Sequence, residues 1–237
     1  PVARREGFDG PAALLAALWD RPVASLGWAV IEALLNPETW FRRDRQPFDI
    51  LANELLPALA RARSDRPVTL WSAGCSTGQE AYSLALAAAQ AGVEARILAT
   101  DLSHRAVEKA RSGLYTSFEI QRGLSARTML AGFDAVDDHW RARPELARMI
   151  RFERQNLLDG PGQDARFDVI FCRYVLGDME PARRAQVLET LERSLADDGC
   201  LFLAPDDRPE DDTLAFRPVN SRPGLFVKAP AALRRAA

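Results

Sequence analysis

The chain is predicted to be an α/β protein built on a doubly wound, mostly parallel sheet. Val68 to Trp71 is a strand signal that runs into a glycine-rich turn, Gly74 to Gly78, and an apolar helical run from Ala81 to Ala91 follows. A second strand, Ala95 to Thr100, ends on Asp101 and completes a βαβ unit. Val169, Ile170, Phe171 and Cys172 form an unbroken apolar run, the pattern of a central parallel strand covered on both faces. Strands and helices alternate around these landmarks, which demands crossover connections and hence parallel pairing.

Taken in order, residues 1–46 form a short N-terminal helical subdomain. Asp9-Gly10-Pro11 starts a helix, with Pro tolerated in the first turn, and Leu14, Leu15, Leu18 and Trp19 make its apolar stripe. Pro22 opens a second helix through Leu26, Val30, Leu34 and Leu35, which Asn36-Pro37 stops. A linking helix in 47–66 runs from Phe48 to Arg63, buries Leu51, Leu55 and Leu59, and is expected to kink at Pro57. Residues 67–230 hold the α/β domain, with strands at 68–71, 95–100, 149–154, 167–172 and 199–204. Its helices fall near 79–91, 103–112, 122–132 and 181–196, the last ended by Asp197-Asp198-Gly199. An antiparallel hairpin, 213–219 with 224–228, closes the domain across Arg222-Pro223-Gly224, and 231–237 are a tail.

Composition removes several function classes. A net charge of -2 gives no support for nucleic-acid binding. No apolar run reaches the ~18 residues of a membrane span, and the first residues lack a secretory leader pattern. Cys75, Cys172 and Cys200 are odd in number and isolated, which points to reduced, packed thiols and a cytoplasmic location. His104 and His139 have no Cys or His at ligand spacing, so no metal site is expected.

The glycine spacing narrows the ligand. A dinucleotide site requires G-x-G-x-x-G, whereas the run from Gly74 is G-C-S-T-G-Q, and no Lys follows it as a phosphate-cradling loop would need. A nucleoside without phosphates fits better, and S-adenosylmethionine is the commonest such cofactor. Asp101, at the tip of the second strand, can accept both ribose hydroxyls; the alternative role is a helix N-cap in competition with Ser103. Gly74 and Gly78 line the ligand or serve the turn alone. Ser76 and Thr77 donate to cofactor oxygens or cap the next helix, and Gln79 or Glu80 holds a cofactor ammonium, with Glu80 preferred for its charge.

The wider segment Trp71-Ser72-Ala73-Gly74-Cys75-Ser76-Thr77-Gly78-Gln79-Glu80-Ala81-Tyr82-Ser83 resembles the cofactor loop of the CheR-type chemotaxis receptor methyltransferases, W-S-A-G-C-S-T-G-E-E-P-Y-S. Further matches follow in chain order. Asn36 to Arg42 resembles N-x-T-x-F-F-R; Ala99 to Leu102 resembles A-T-D-I; Ala110 to Tyr115 resembles A-R-x-G-x-Y; Asn156-Leu157 and Phe167 to Arg173 resemble N-L and F-D-x-I-F-C-R-N. The resemblance covers residues 34 to 204 and implies a class I methyltransferase (Rossmann-like) sheet that binds S-adenosylmethionine, or S-adenosylhomocysteine as product.

For single residues it implies that Asn156-Leu157 meets the adenine and that Arg42 lies over the cofactor, where it meets a substrate carboxylate. It adds Asn36, Glu38, Ala73, Leu102, Arg173 and Tyr174 to the cofactor side, and Arg173 and Asp178 to the catalytic side. The family has Glu at both positions where this chain has Gln79-Glu80. Departures gather on the substrate side. The family reads R-N-V-M-I-Y-F where this chain has Arg173 to Met179, so Asp178 stands in the place of a Tyr and Tyr174 in the place of an Asn. Ala204-Pro205-Asp206-Asp207 replaces G-H-S-E. The helical subdomain lacks the basic helix that meets acidic receptor helices, and the final hairpin link is too short for the three-stranded subdomain that tethers receptor tails in some members.

The implied reaction is methyl transfer to a protein glutamate carboxylate, giving a methyl ester. A carboxylate is already a nucleophile at neutral pH, so alignment and desolvation suffice and no general base is needed. Chemoreceptor helices or another acidic protein are the implied partners. The substrate-side departures leave two alternatives: the same scaffold methylating a different acceptor, or a regulatory module that binds the cofactor and does little chemistry.

Overall fold

A computed structural model describes residues 2–20, 24–205, 207, 209 and 215–230. The N-terminal piece is α1 (Val2–Arg5), α2 (Pro11–Asp20) and α3 (Ala24–Leu34). Only Leu14 of the expected α2 stripe is buried; Leu15 and Trp19 are exposed. Pro22, expected to open the second helix, lies outside the described residues. A strap, residues 35–45, then leads into α4 (Gln46–Ile50), a π-helical turn (Leu51–Leu55) and α5 (Leu56–Ala62). The kink expected at Pro57 takes the form of that widened turn, in which the Leu56 N–H reaches back to Leu51 O. Proline has no N–H to continue the i→i−4 ladder, and the π-turn absorbs the mismatch.

The α/β domain follows with β1 (Val68–Ala73), α6 (Gln79–Ala91), β2 (Ala95–Asp101) and α7 (His104–Ser112). Next come β3 (Leu114–Thr116), α8 (Ser117–Gln121), α9 (Ala126–Gly132), β4 (Phe133–Val136), β5 (His139–Ala142) and α10 (Pro144–Ala147). The chain continues through β6 (Ile150–Arg154), β7 (Phe167–Cys172), a 3-10 turn (Leu176–Asp178), α11 (Pro181–Ser194) and β8 (Leu195–Leu203), then ends with the hairpin β9 (Phe216–Pro218) and β10 (Leu225–Lys228).

The main sheet has the order β6-β2-β1-β7-β8-β10-β9. Strands β6, β2, β1, β7 and β8 are parallel neighbours, and β10 and β9 add on antiparallel. All six residues of β7 are buried, as its apolar run requires of a central strand. The chain leaves β1 for β2 on one side and returns to β7 on the other, so the sheet order reverses beside β1. Ligands of doubly wound sheets settle at such a switch point, outside the C-terminal strand ends.

Two expectations fail. The single helix at 122–132 is instead α8 and α9, and the region folds around a second sheet of order β3-β5-β4. A three-stranded antiparallel sheet is thus present, between α7 and β6 rather than within the final hairpin. The helix expected to run to 196 ends at Ser194, because Leu195 turns extended (φ −84°, ψ 137°) to enter the core opposite Phe167. Asp197-Asp198-Gly199 lies inside β8 at a register shift, where Gly199 passes close to Asp168 O, and is not a helix stop.

Candidate functional site

A cavity of about 490 Å³ lies at the switch point, within the size range of small-molecule sites. Its floor is made by the ends of β1, β2, β6 and β7, and its roof by α3 and the strap. At the end of β1, Gly74 has φ 86°, and a Cβ there would lie 2.5 Å from Val175 Cγ2. Only glycine fits that approach. The N–H groups of Gly74 and Cys75 both donate to Thr100 O at 2.8 Å, which ties the turn to β2.

Asp101 terminates β2 on the cavity wall. Its Oδ2 accepts from the Ser76 N–H at 2.8 Å and its Oδ1 from the Ser103 N–H at 2.9 Å. The cap of α7 is Ser103, whose hydroxyl accepts from the Ala106 N–H, so Asp101 is free of that duty. Burial raises its pKa, and the amides of Ser103 and Ser76 oppose the rise. A carboxylate offers about four lone-pair sites, so capacity remains for a ligand.

Glu80 and Gln79 part company. Glu80 lines the cavity; its Oε1 accepts from Ser72 Oγ at 2.7 Å and its Oε2 lies 3.8 Å from Arg173 Nη1. Burial raises its pKa, against the pull of Arg173. Gln79 is buried below the turn, where its Oε1 accepts from Thr77 Oγ1. Thr77 and Ser76 line the cavity, and Ser76 Oγ donates to Pro37 O of the strap at 2.9 Å. Gly78 and Ala73 do not line it. A Cβ on Gly78 would lie 2.8 Å from Ala110 Cβ and 2.9 Å from the Tyr115 hydroxyl, so its requirement is helix packing. Ala73 is fully buried in the core.

The strap supplies Asn36, Pro37, Glu38, Thr39, Trp40 and Arg43 to the cavity. Arg42, the expected carboxylate-binding residue, is turned away. Its Nη2 donates to Asp49 Oδ1 at 2.5 Å and its N–H to Ser83 Oγ at 2.9 Å. The next residue, Arg43, faces the cavity instead. Its guanidinium stacks between the rings of Trp40 (4.1 Å) and Tyr174 (3.3 Å). Positive φ at Arg42, Asp44 and Arg45 produces this reversal. Glu38 pairs with Arg122 at 3.0 Å, and Arg122 covers the other face of Trp40 at 4.0 Å.

Beyond β7, Arg173, Tyr174, Val175, Asp178 and Met179 complete the wall. Arg173, with a side chain 1% exposed, acts as a staple. Its Nη1 donates to Arg43 O at 2.9 Å, and its Nη2 donates to Asp44 Oδ2, which also accepts from the Tyr174 hydroxyl. Asp207, in place of the Glu in G-H-S-E, is buried and accepts from the N–H groups of Val175 (3.0 Å) and Gly177 (2.7 Å), which shapes the turn carrying Asp178. Gln155, Asn156 and Leu157 close the opposite end beyond β6, with Leu102 and Ser103 beside them. Asn156 Oδ1 accepts from the Leu158 N–H at 3.1 Å, so this Asn also makes a turn.

Sequence reasoning missed Glu32, Trp40, Arg43, Arg105 and Gln155. Glu32 of α3 accepts from the His104 N–H at 2.7 Å and pairs with Arg105 at 3.2 Å, which fastens the roof to α7. No periodicity announces such contacts between distant elements. Among the described residues, no group of three or more His, Cys, Asp or Glu side chains is gathered to hold a metal. The free thiols of Cys75, Cys172 and Cys200 are buried, and burial pushes Cys200 up to about 12.

Residues 37–225 match the family model described as CheR methyltransferase, SAM binding domain. A chemotaxis protein methyltransferase of Vibrio parahaemolyticus is 34% identical over 208 residues, 84% of this chain and 75% of that protein. The chemotaxis protein methyltransferase Cher2 of Pseudomonas putida is 30% identical over 237 residues, covering 96% of this chain and 86% of that protein. A probable biofilm formation methyltransferase, WspC, of Pseudomonas aeruginosa is 36% identical over 188 residues, 75% of this chain but 43% of that protein. With the switch-point cavity and its strand-tip carboxylate, these matches show that the chain belongs to the CheR methyltransferase family and is an S-adenosylmethionine-dependent methyltransferase.

Proposed function

We propose that the chain methylates a protein glutamate carboxylate, of the kind carried by chemoreceptor cytoplasmic helices, to give a methyl ester. The observation that supports this most is Arg43. Its guanidinium lines the cavity, held flat between Trp40 and Tyr174 with Nη1 donating to Glu38 O at 3.1 Å, and the donors left over suit it to grip a carboxylate. Arg43 therefore takes the acceptor role that the motif alone gave to Arg42.

The cavity's residues fit the cofactor. Glu80 suits an ammonium and Asp101 a ribose diol. When bound, S-adenosylmethionine supplies a sulfonium-activated methyl group. Arg43 orients the acceptor oxygen, the strap excludes water, and Arg173 keeps the strap seated; no residue has to remove a proton from an ionised acceptor.

Asp178 supports a second reading. It is exposed on the cavity wall, where its negative charge opposes an incoming carboxylate but suits a hydroxyl or amine donor. We expect weak methylation of standard receptor glutamates by the unaltered chain, improved by Asp178→Asn or Asp178→Tyr. Label that resists mild alkali, on any acceptor, would favour the second reading, because a methyl ester releases methanol under those conditions.

A further inference from the structure

Tyr174 stands on the cavity wall in a backbone conformation that its side chain does not favour. Its φ is 60°, in the left-handed region, where Asn is enriched and a bulky side chain is an outlier. Asn is the family's residue at this place, so Tyr174 sets a larger side chain on a backbone that suits it less. Such an outlier persists only where surrounding contacts hold it, and it points to a task. Two contacts hold this one. The Tyr174 hydroxyl donates to Asp44 Oδ2 of the strap, and its ring centroid lies 3.3 Å from the guanidinium carbon of Arg43.

Trp40 stands 4.1 Å from the same guanidinium, so Arg43 lies between two rings. A guanidinium held in that way offers a ligand only its edge. Nη1 already donates to Glu38 O at 3.1 Å and Nε is buried, so a carboxylate must come in the guanidinium plane, to the terminal N–H groups that remain. With the Tyr174 ring removed, one face would open, and the long Arg43 side chain would have to be ordered each time an acceptor binds. On the reading of Arg43 as the group that grips the acceptor, we infer that Tyr174 is a positioning residue of the transfer. Its ring fixes the plane in which Arg43 takes the acceptor carboxylate, and its hydroxyl anchors that ring to the strap through Asp44.

A double-mutant cycle of the full chain tests this, with labelled-methyl transfer to receptor cytoplasmic helices as the activity and calorimetry of S-adenosylhomocysteine beside it. Tyr174→Leu, which removes the ring, should lower kcat/KM for the acceptor by roughly 5–30-fold, the worth of a cation–π contact that is partly desolvated. Tyr174→Phe, which keeps the ring, should stay within about threefold of the unaltered chain. On an Arg43→Ala background Tyr174→Leu should change transfer by less than about twofold, because its effect runs through Arg43. Product affinity should move much less than acceptor kcat/KM in every variant. If Arg43→Ala lowers transfer and Tyr174→Leu does not, the positioning role is overturned while the reading of Arg43 stands. A Tyr174→Leu effect of equal size with and without Arg43, or an equal loss of product affinity, overturns it too. If Arg43→Ala leaves transfer untouched, or the unaltered chain labels no receptor helix, the reading beneath it fails and takes the inference with it. Should Tyr174→Leu not fold, Tyr174→Asn, whose side chain suits the left-handed backbone, takes its place in the cycle with the same expected outcome.

Discussion

Arg42 and Arg43 are chemically identical and adjacent, yet their surroundings give them opposite duties. Arg42 is tied to Asp49 and Ser83, and Arg43 is stacked on the cavity wall. Arg43→Ala should lower turnover by roughly 10–150-fold, the worth of hydrogen bonds to a charged group, with a much smaller change in cofactor affinity. Arg42→Ala should instead lower the melting temperature and leave turnover per folded molecule within about threefold. Steady-state kinetics beside calorimetry separates the two. The seven-residue motif fits an arginine at 42, and nothing in one-dimensional spacing reports a left-handed backbone at three of four positions. That side-chain reversal was invisible in the sequence. Asp101 and Glu80 were legible, because a strand tip and a first helical turn fix where their side chains can go. Asp101→Ala should weaken cofactor binding by roughly 10–150-fold. Burial raises the pKa of both carboxyls, and each must be ionised to do its task. Cofactor affinity should therefore be full above the raised pKa values and fall as pH drops through them. Glu80→Gln should remove part of that dependence, as affinities measured across mildly acidic pH would reveal.

Among the elements, the strap depends on one carboxylate. Asp44 accepts from Arg173 and Tyr174 at once, while Phe41 beside it is fully buried against Tyr115 and Phe133. Asp44→Ala should leave the Arg173 guanidinium buried and short of a partner. The strap should then open more often, with the cofactor dissociation rate rising on the order of tenfold. Stopped-flow release, together with faster amide exchange confined to residues 36–45, checks this; unchanged release would show that Phe41 and Glu32 hold the roof without the latch. The motif match placed Asn36 and Glu38 at the site, but the latch could not be read from the sequence, since Asp44 and its partners Arg173 and Tyr174 are more than 100 positions apart. The sheet β3-β5-β4 was missed for a different reason. Its strands span three or four residues each, too short for alternation to register. By contrast β7 is unbroken apolar sequence, and its central place followed directly.

Across the whole molecule, the side of the sheet remote from the cavity is clamped by one buried acid. Asp168, fully buried in β7, accepts from Arg63 at 2.9 Å, from both terminal nitrogens of Arg66, and from the N–H and hydroxyl of Thr69. Arg63 reaches on to Asp198 of β8, so the cluster joins α5, β1, β7 and β8. Burial alone would raise the Asp168 pKa, but Arg66, Thr69 and Arg63 outweigh it and hold the carboxyl at about 2. An unfolded Asp titrates near 3.9, so this contribution is complete above about pH 4 and is lost as pH falls through about 2. Asp168→Asn should cost about 3 kcal/mol by stranding the arginines, roughly 6–12 °C in melting temperature, and its stability should fall less steeply between pH 4 and pH 2. Thermal melts across that range measure both effects. The F-D-x-I-F-C-R match located Asp168, but not its task, because Arg63 and Arg66 reach it from another part of the chain.

The molecule's two ends thus divide stability from chemistry, and the chemistry converges on a carboxylate acceptor held by Arg43. The most direct test is transfer of a labelled methyl group from S-adenosylmethionine to receptor cytoplasmic helices, followed by mild alkali and collection of volatile methanol. Alkali-labile label on glutamate is expected, slow for the unaltered chain, faster for Asp178→Asn and strongly reduced for Arg43→Ala. Alkali-stable label, or ester formation that Arg43→Ala leaves untouched, would contradict it.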